Sequence, residues 1–354
     1  MRKGVLSLVV ALAAVGCGGG DDESPKGPVV VTPAPAGQPW KTLGEWQLFE
    51  KPREQAPAAR VVGYEVIAPL YSDETLKHRF LHVPEGAVVG YEPTAAWRFP
   101  VGTILVKTFA YPIDARDPAL GERLLETRLL VKEADGFKAH TYVWNEAQTE
   151  ANLKPTGTTL DVSWIDATGA TRTNAYGVPN TNQCQDCHGK AELQDSLGGR
   201  TRQLDRDGQI ENLHGLGWLD AEPGADRVKL VEPYGAAPLA ERARSYLDAN
   251  CGACHSTAGG ASQNGLFLDW ESTDPAADPT SWGTCKVPTS AGGATCGLTY
   301  DIVPGQPDQS ILICRVESRE PKVQMPPLTS KIADQQGVAL LREWVQSLSP
   351  AGCQ

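Results

Sequence analysis

The sequence predicts an α+β chain of several domains: an N-terminal antiparallel β-domain of the sandwich or barrel-like kind, followed by a mainly α region. Three observations predict it. Between residues 40 and 180, short β-branched and aromatic runs alternate with turn signals. Beyond residue 180 that signal fades, and apolar residues recur at helical spacing at 238–255 and 337–349. The chain has 354 residues, 41% of them apolar, enough for two or three domains with a buried core.

In the β part, VVGYEVIAPLY (61–71) and GTILVKTFAY (102–111) read as strands. LLETRLLVKEADGFKAHTYVWN (124–145) reads as two strands about Asp135-Gly136, a hairpin signal. LDVSWIDATGATRTNAY (160–176) repeats that design about Thr168-Gly169. A succession of short strands separated by turns is the pattern of a sandwich or barrel. In the α part, PLAERARSYLDANCGACH carries Leu239, Ala243, Tyr246 and Leu247 on one helical stripe. GVALLREWVQSLS carries Val338, Leu341, Trp344, Val345 and Leu348 on another, and Gly- and Pro-rich text lies between the two.

The N-terminus, MRKGVLSLVVALAAVGC, has a basic start and an apolar run of roughly a dozen residues, too short to span a bilayer and suited to a signal peptide. It ends in Ala14-Val15-Gly16-Cys17, small residues before a cysteine, which resembles a bacterial lipobox with Cys17 as the lipidated residue. The expected localisation is the bacterial cell envelope, lipid-anchored, at the periplasmic face or outer membrane, with lipid as the only membrane contact. Residues 18–39 are rich in Gly, Pro and acidic residues and read as a disordered tether. The organisation expected is therefore 1–17 signal peptide and lipidated Cys, 18–39 tether, 40–180 β-rich domain, and two further units, 181–235 and 236–354, each holding one of the two CxxCH motifs read next. Net charge is -11, which argues against nucleic acid as a partner, since phosphate contacts need a basic face.

The chemistry lies in two CxxCH motifs, Cys184-Gln185-Asp186-Cys187-His188 and Cys251-Gly252-Ala253-Cys254-His255. CxxCH is the attachment signature of c-type haem. Two thiols add across the porphyrin vinyl groups, and the adjacent histidine is held beneath the iron as an axial ligand. Two copies in an exported chain predict two haem c groups. Zinc is the other chemistry open to Cys184, Cys187, Cys251 and Cys254. Of nine cysteines, Cys285, Cys296, Cys314 and Cys353 remain, an even number that suggests two disulfides in an oxidising compartment. The pairing expected is Cys285–Cys296 and Cys314–Cys353.

For the second haem, a helix, CxxCH at its end, loops and a terminal helix follow the order of a small monohaem cytochrome c. Met325, the one methionine other than Met1, stands ahead of the terminal helix as the expected second axial ligand. For the first haem no methionine remains. His214 is nearest in sequence; His78, His82 and His140 would come from the β-domain; an open site is the remaining possibility. Arg200 and Arg202 follow the first motif and suit haem propionates or solvent.

Six stretches, LYSDETLKHRF, FPVGTILVKTFAYP, TYVWNEAQTEA, VPNTNQCQDCHG, RARSYLDANCGACH and YDIVPGQPDQSIL, together resemble a family of bacterial dihaem c-type cytochromes. They run from about residue 65 to 325, across both the β part and the haem part. The resemblance implies export and two covalent haems, with no substrate attached to it. The function expected is electron transfer with redox partner proteins. The alternative is a dihaem peroxidase-like or small-substrate oxidoreductase acting at an open first haem, with electrons supplied by the second.

Overall fold

The computed structural model describes residues 28–188, 198–289, 295–327 and 330–353, with the side chains of 185–187 also outside the description. The expected signal peptide, the expected lipidation site at Cys17 and the first part of the expected tether lie outside the described residues.

The fold is mixed α and β, built on antiparallel sheet. A two-stranded ribbon pairs β1 (Phe49–Lys51) with β2 (Ala56–Pro57). The main sheet has six strands in simple meander order: β3 (Val61–Gly63), β4 (Leu76–His82), β5 (Ile104–Pro112), β6 (Glu122–Glu133), β7 (Gly136–Trp144) and β8 (Ala151–Leu153). A hairpin, β9 (Thr158–Ile165) with β10 (Thr171–Val178), forms a further two-stranded sheet. The turns at Gly136 and Gly169 both use positive φ, the conformation glycine allows.

The expected sandwich or barrel is replaced by one large sheet, whose two faces are closed by hairpins, loops and helices. Alternation along each strand sends Phe80, Val106, Leu129 and Tyr142 to one face. There they pack with Val31, Leu43, Trp46, Leu48 and Phe49. Leu81, Leu105 and Phe137 point to the other face, against Leu204, Ile210, Leu213 and Trp218 from the segment after the first CxxCH. At the far end of that second face, Tyr111 stacks on Trp164 at 4.1 Å between ring centroids.

The tether reading holds less of the chain than expected. Val31 is buried in the core, Thr32 N–H donates to the Trp46 carbonyl at 2.9 Å, and Val30 bridges Ala59. Composition reads this stretch as linker because its apolar residues are few, but Val31 in the core and Val29 packed against it are enough to dock it. The run 61–71 forms only β3, because Pro69 and the turn at Asp73 and Glu74, both at positive φ, break the strand.

After β10 come the helices: α1 (Thr181–His188), α2 (Thr201–Leu204), α3 (Gln209–Gly215), α4 (Leu239–Leu247), α5 (Ile311–Glu317) and α6 (Gln335–Ser347). α4, α5 and α6 enclose one core of Tyr246, Leu247, Ile313, Val316, Leu341, Trp344 and Val345. A Cβ at Gly337 would run into the Tyr246 ring, so that glycine sets how closely α4 and α6 cross. Asp334 caps α6, its carboxylate accepting the Gly337 N–H at 2.9 Å and the Tyr234 and Tyr246 hydroxyls at 2.8 and 3.0 Å.

Two disulfides tie this region, in a pairing that corrects the one expected. Cys285 joins Cys353 and Cys296 joins Cys314. The C-terminus runs back along 302–304, where Gly352 N–H donates to the Pro304 carbonyl, and Cys285 N–H donates to Ile302 on the same line. That places Cys353 next to Cys285, with Cα atoms 5.3 Å apart. Cys296 instead meets α5.

Candidate functional site

The first CxxCH lies on α1, and a capping box starts that helix. Asn180 Oδ1 accepts the Gln183 N–H at 3.0 Å and Gln183 Oε1 accepts the Asn180 N–H at 2.9 Å. The entry is tight: Gly157 sits at positive φ against the backbone of Val178 to Asn180, where a Cβ would clash. Cys184 is buried, its thiol 3.5 Å from the Asn180 carbonyl. His188, the last helical residue, is half-buried; the Cys187 side chain lies outside the described residues.

Cys184 lies within electrostatic reach of Arg128, on the sheet face that carries Leu105 and Leu81. The β-domain histidines lie on the opposite face. His78 and His82 share it with Phe80, and His140 pairs with Leu129 across the sheet. Their rings are engaged there: His78 Nε2 is 2.6 Å from Glu122, His82 Nδ1 is 2.9 Å from the Arg60 carbonyl, and His140 lies beside Trp46. His214 ends α3, next to Leu213, on the side of the sheet that holds Cys184. Its ring is half-buried and makes no hydrogen bond among the described residues.

The second CxxCH follows α4 through a π-turn, Asp248–Gly252, a local widening common at functional sites. The Cys251 carbonyl accepts the N–H groups of Cys254 and His255 at 3.1 and 2.9 Å, carrying the helical path through the motif. His255 Nδ1 is 3.3 Å from the Leu266 carbonyl, so Nδ1–H donates and Nε2 is left as the electron-pair donor. Burial pushes this histidine below the usual imidazole range, while the bond to Leu266 opposes the shift. Met325 packs half-buried against the α4–α5–α6 core, as Cys251 does. Its N–H donates to the Arg315 carbonyl at 2.8 Å, and the Arg315 charge acts on His255. Of the sequence-predicted residues, Cys251 and Met325 thus border the same core, and His255 bonds to the backbone of Leu266, a member of it.

Two observations bear on whether a haem fits there. The His255 tautomer is the one a metal-ligating histidine takes when a backbone carbonyl fixes its other nitrogen. Arg319, beside Met325, keeps a buried Nε with no partner among the described residues, while its NH1 donates to Ser330 at 2.8 Å. An orphaned guanidinium N–H next to the methionine suits a haem carboxylate. Among the described residues, no group of three or more His, Cys, Asp and Glu converges as a bare metal site, so the zinc reading gains no support from them.

Sequence reasoning missed two connections. Arg202, read as a propionate or solvent residue, is buried and committed within the protein. Its Nε and NH2 grip Asp248 at 3.0 and 3.1 Å, and its NH1 meets Glu271 at 2.8 Å. Asp248 opens the π-turn of the second motif, so the segment after the first motif is clamped to the second. The LYSDE stretch is the other connection. Tyr71 N–H donates to Asn250, just before Cys251, at 2.8 Å. The fully buried Asp73 carboxylate accepts the Lys331 and Ile332 N–H groups at 2.9 and 3.0 Å, and the Asn174 amide at 3.1 Å. One turn of the β-domain therefore holds both the approach to Cys251 and the segment 330–332 that follows Met325. Neither connection has a local signal, because each partner lies far away in the chain.

Comparison with known protein families, curated proteins and solved structures finds no match for this chain.

Proposed function

We propose that the chain is a dihaem c-type cytochrome that passes single electrons between partner proteins. The observation that carries the reading is the second site: Cys251 and Met325 border one core, and His255 is fixed through Nδ1 on the Leu266 carbonyl of that core, which leaves Nε2 for a metal. The residues that would hold the haems are Cys184, Cys187 and His188 at the first site, and Cys251, Cys254, His255 and Met325 at the second. Haem bound at these positions supplies one-electron chemistry, with a thioether ligand favouring the ferrous state and raising the potential. The chain's own groups then fix geometry: the Leu266 carbonyl orients His255, the Arg315 carbonyl seats Met325, and Arg202 with Asp248 ties α2 to the start of the second motif. Envelope localisation through Cys17, lipid anchoring and redox protein partners belong to the same proposal, with nucleic acid excluded by charge.

A second reading, a small-substrate or peroxidase-like oxidoreductase at the first haem, is favoured by one observation. His78, His82 and His140 all lie on the sheet face away from Cys184, leaving His214 as the histidine on the near side outside the motif. Optical and spin-resonance spectra of the ferric protein, with and without cyanide, separate the two. Two low-spin haems indifferent to cyanide support a relay with His214 as ligand. One high-spin haem that takes up cyanide supports the enzyme. Absence of covalent haem defeats both.

A further inference from the structure

The sheet face near Cys184 carries an unusual floor. Its register sets Arg79, Lys107 and Arg128 side by side on β4, β5 and β6, with Lys77, Phe109 and Glu126 in the next row. Strands lie about 4.8 Å apart, so the three cations of the first row stand in a line of about 10 Å. Apolar packing closes the face at both ends, by Leu81, Leu105 and Trp218 on one side and by Tyr111, Trp164 and Tyr176 on the other.

The charges in this floor are incompletely answered. Glu126 is fully buried and gripped by Arg128 at 2.8 and 2.5 Å, with the Tyr176 hydroxyl donating to it at 2.7 Å. Arg79 meets Glu65, which is exposed at the rim, at 3.1 Å. Lys77 donates to the Thr75 carbonyl at 2.8 Å. Lys107 has neither a hydrogen bond nor an ion pair among the described residues; its ammonium lies 4.8 Å from the Phe109 ring centroid, which Arg128 also faces at 4.4 Å. Burial drives Lys107 well below the usual lysine range; Arg79, Lys77 and Arg128 push the same way and Glu126 opposes them. Burial likewise lowers Lys77 to about 7, with Arg79 adding to the shift while Asp73 and Asp334 oppose it. A half-buried lysine set among three cations is costly unless an anion joins it.

We propose that Arg79, Lys107 and Arg128, with Lys77 beside them, form an anion seat next to the first CxxCH helix, and that its occupant is a carboxylate or a comparable small oxyanion. Two sources share that chemistry: a propionate of the first haem, and a free oxyanion admitted as ligand or substrate. The first source rests on the haem reading above; the seat itself does not.

The test compares the mature wild-type protein with Lys107→Met, which keeps the apolar stem and removes the charge. Nitrite binding is measured by calorimetry, and both haem potentials by spectroelectrochemistry. Saturable nitrite binding in the wild type, weakened about tenfold or more in Lys107→Met, identifies a free oxyanion. No nitrite binding, but one haem potential falling in Lys107→Met while the other stays, identifies the propionate. Unchanged nitrite response and unchanged potentials, in a variant whose circular dichroism matches wild type, overturn the seat. If a pyridine haemochrome assay finds no covalent haem, the function proposed above fails, and calorimetry alone decides the seat.

A second signature accompanies the first. Lys107→Met removes a half-buried amine whose charged form burial and the neighbouring cations disfavour, so the variant is expected to unfold at higher urea than wild type under anion-free conditions. Nitrite, where it binds, narrows that gap by stabilising the wild type more than the variant.

Discussion

Asp73→Asn isolates the link between the β-domain and the segment 330–332 that follows Met325. The carboxylate is fully buried at 0% exposure and serves four donors of long sequence separation, the Lys331 and Ile332 N–H groups, the Ser330 hydroxyl and the Asn174 amide. Asparagine tolerates the positive φ of 49° at this position, so backbone strain does not enter. In its better orientation the new amide keeps its oxygen toward Lys331 and Ile332 and turns its NH2 against the NH2 of Asn174. One buried donor is then orphaned, at about 1–3 kcal/mol, and the remaining charge-assisted bonds become neutral ones. The expected loss is about 2–4 kcal/mol, read from urea unfolding followed by circular dichroism with the slope unchanged. Because the released segment 330–332 follows Met325, imidazole is expected to compete more effectively at the second haem of the variant. A loss under about 0.5 kcal/mol together with unchanged imidazole binding would refute the reasoning.

Met325→Leu keeps the side-chain volume and removes the sulfur. One haem is expected to lose its low-spin character and fall in potential, checked by spectroelectrochemistry, and two unaltered potentials would remove Met325 as a ligand. Arg202→Ala strands the buried Asp248 carboxylate and is expected to cost about 3–5 kcal/mol in urea unfolding. Non-reducing peptide mapping of the mature protein is expected to recover Cys285 linked to Cys353 and Cys296 linked to Cys314, and any other pairing contradicts the fold of the C-terminal region.

What was legible in the sequence was local. The terminal helix shows its stripe of Val338, Leu341, Trp344 and Val345 because a 3.6-residue period is written in adjacent turns. The hairpins at Asp135-Gly136 and Thr168-Gly169 announce themselves through turn residues. Strand β4 was concealed, because LKHRFLH puts Lys77 and Arg79 on one face and His78 and His82 on the other, so polar residues interrupt both faces. The α5 helix was concealed for a different reason: ILICRVE is a short apolar run that periodicity cannot assign. Arg202 could not be read as an internal clamp, since nothing near it marks Asp248 as its partner. The basic floor was equally hidden, because Arg79, Lys107 and Arg128 become neighbours only through strand register. The disulfide pairing failed on the same ground, since proximity in sequence misled where the C-terminus folds back on Ile302 and Pro304.

Intact mass of the mature, exported protein, followed by peptide analysis, tests the central claim most directly. The account predicts a mass increase of two haem groups, one on the peptide with Cys184 and Cys187 and one on the peptide with Cys251 and Cys254. Recovery of both peptides with unmodified cysteines would contradict it.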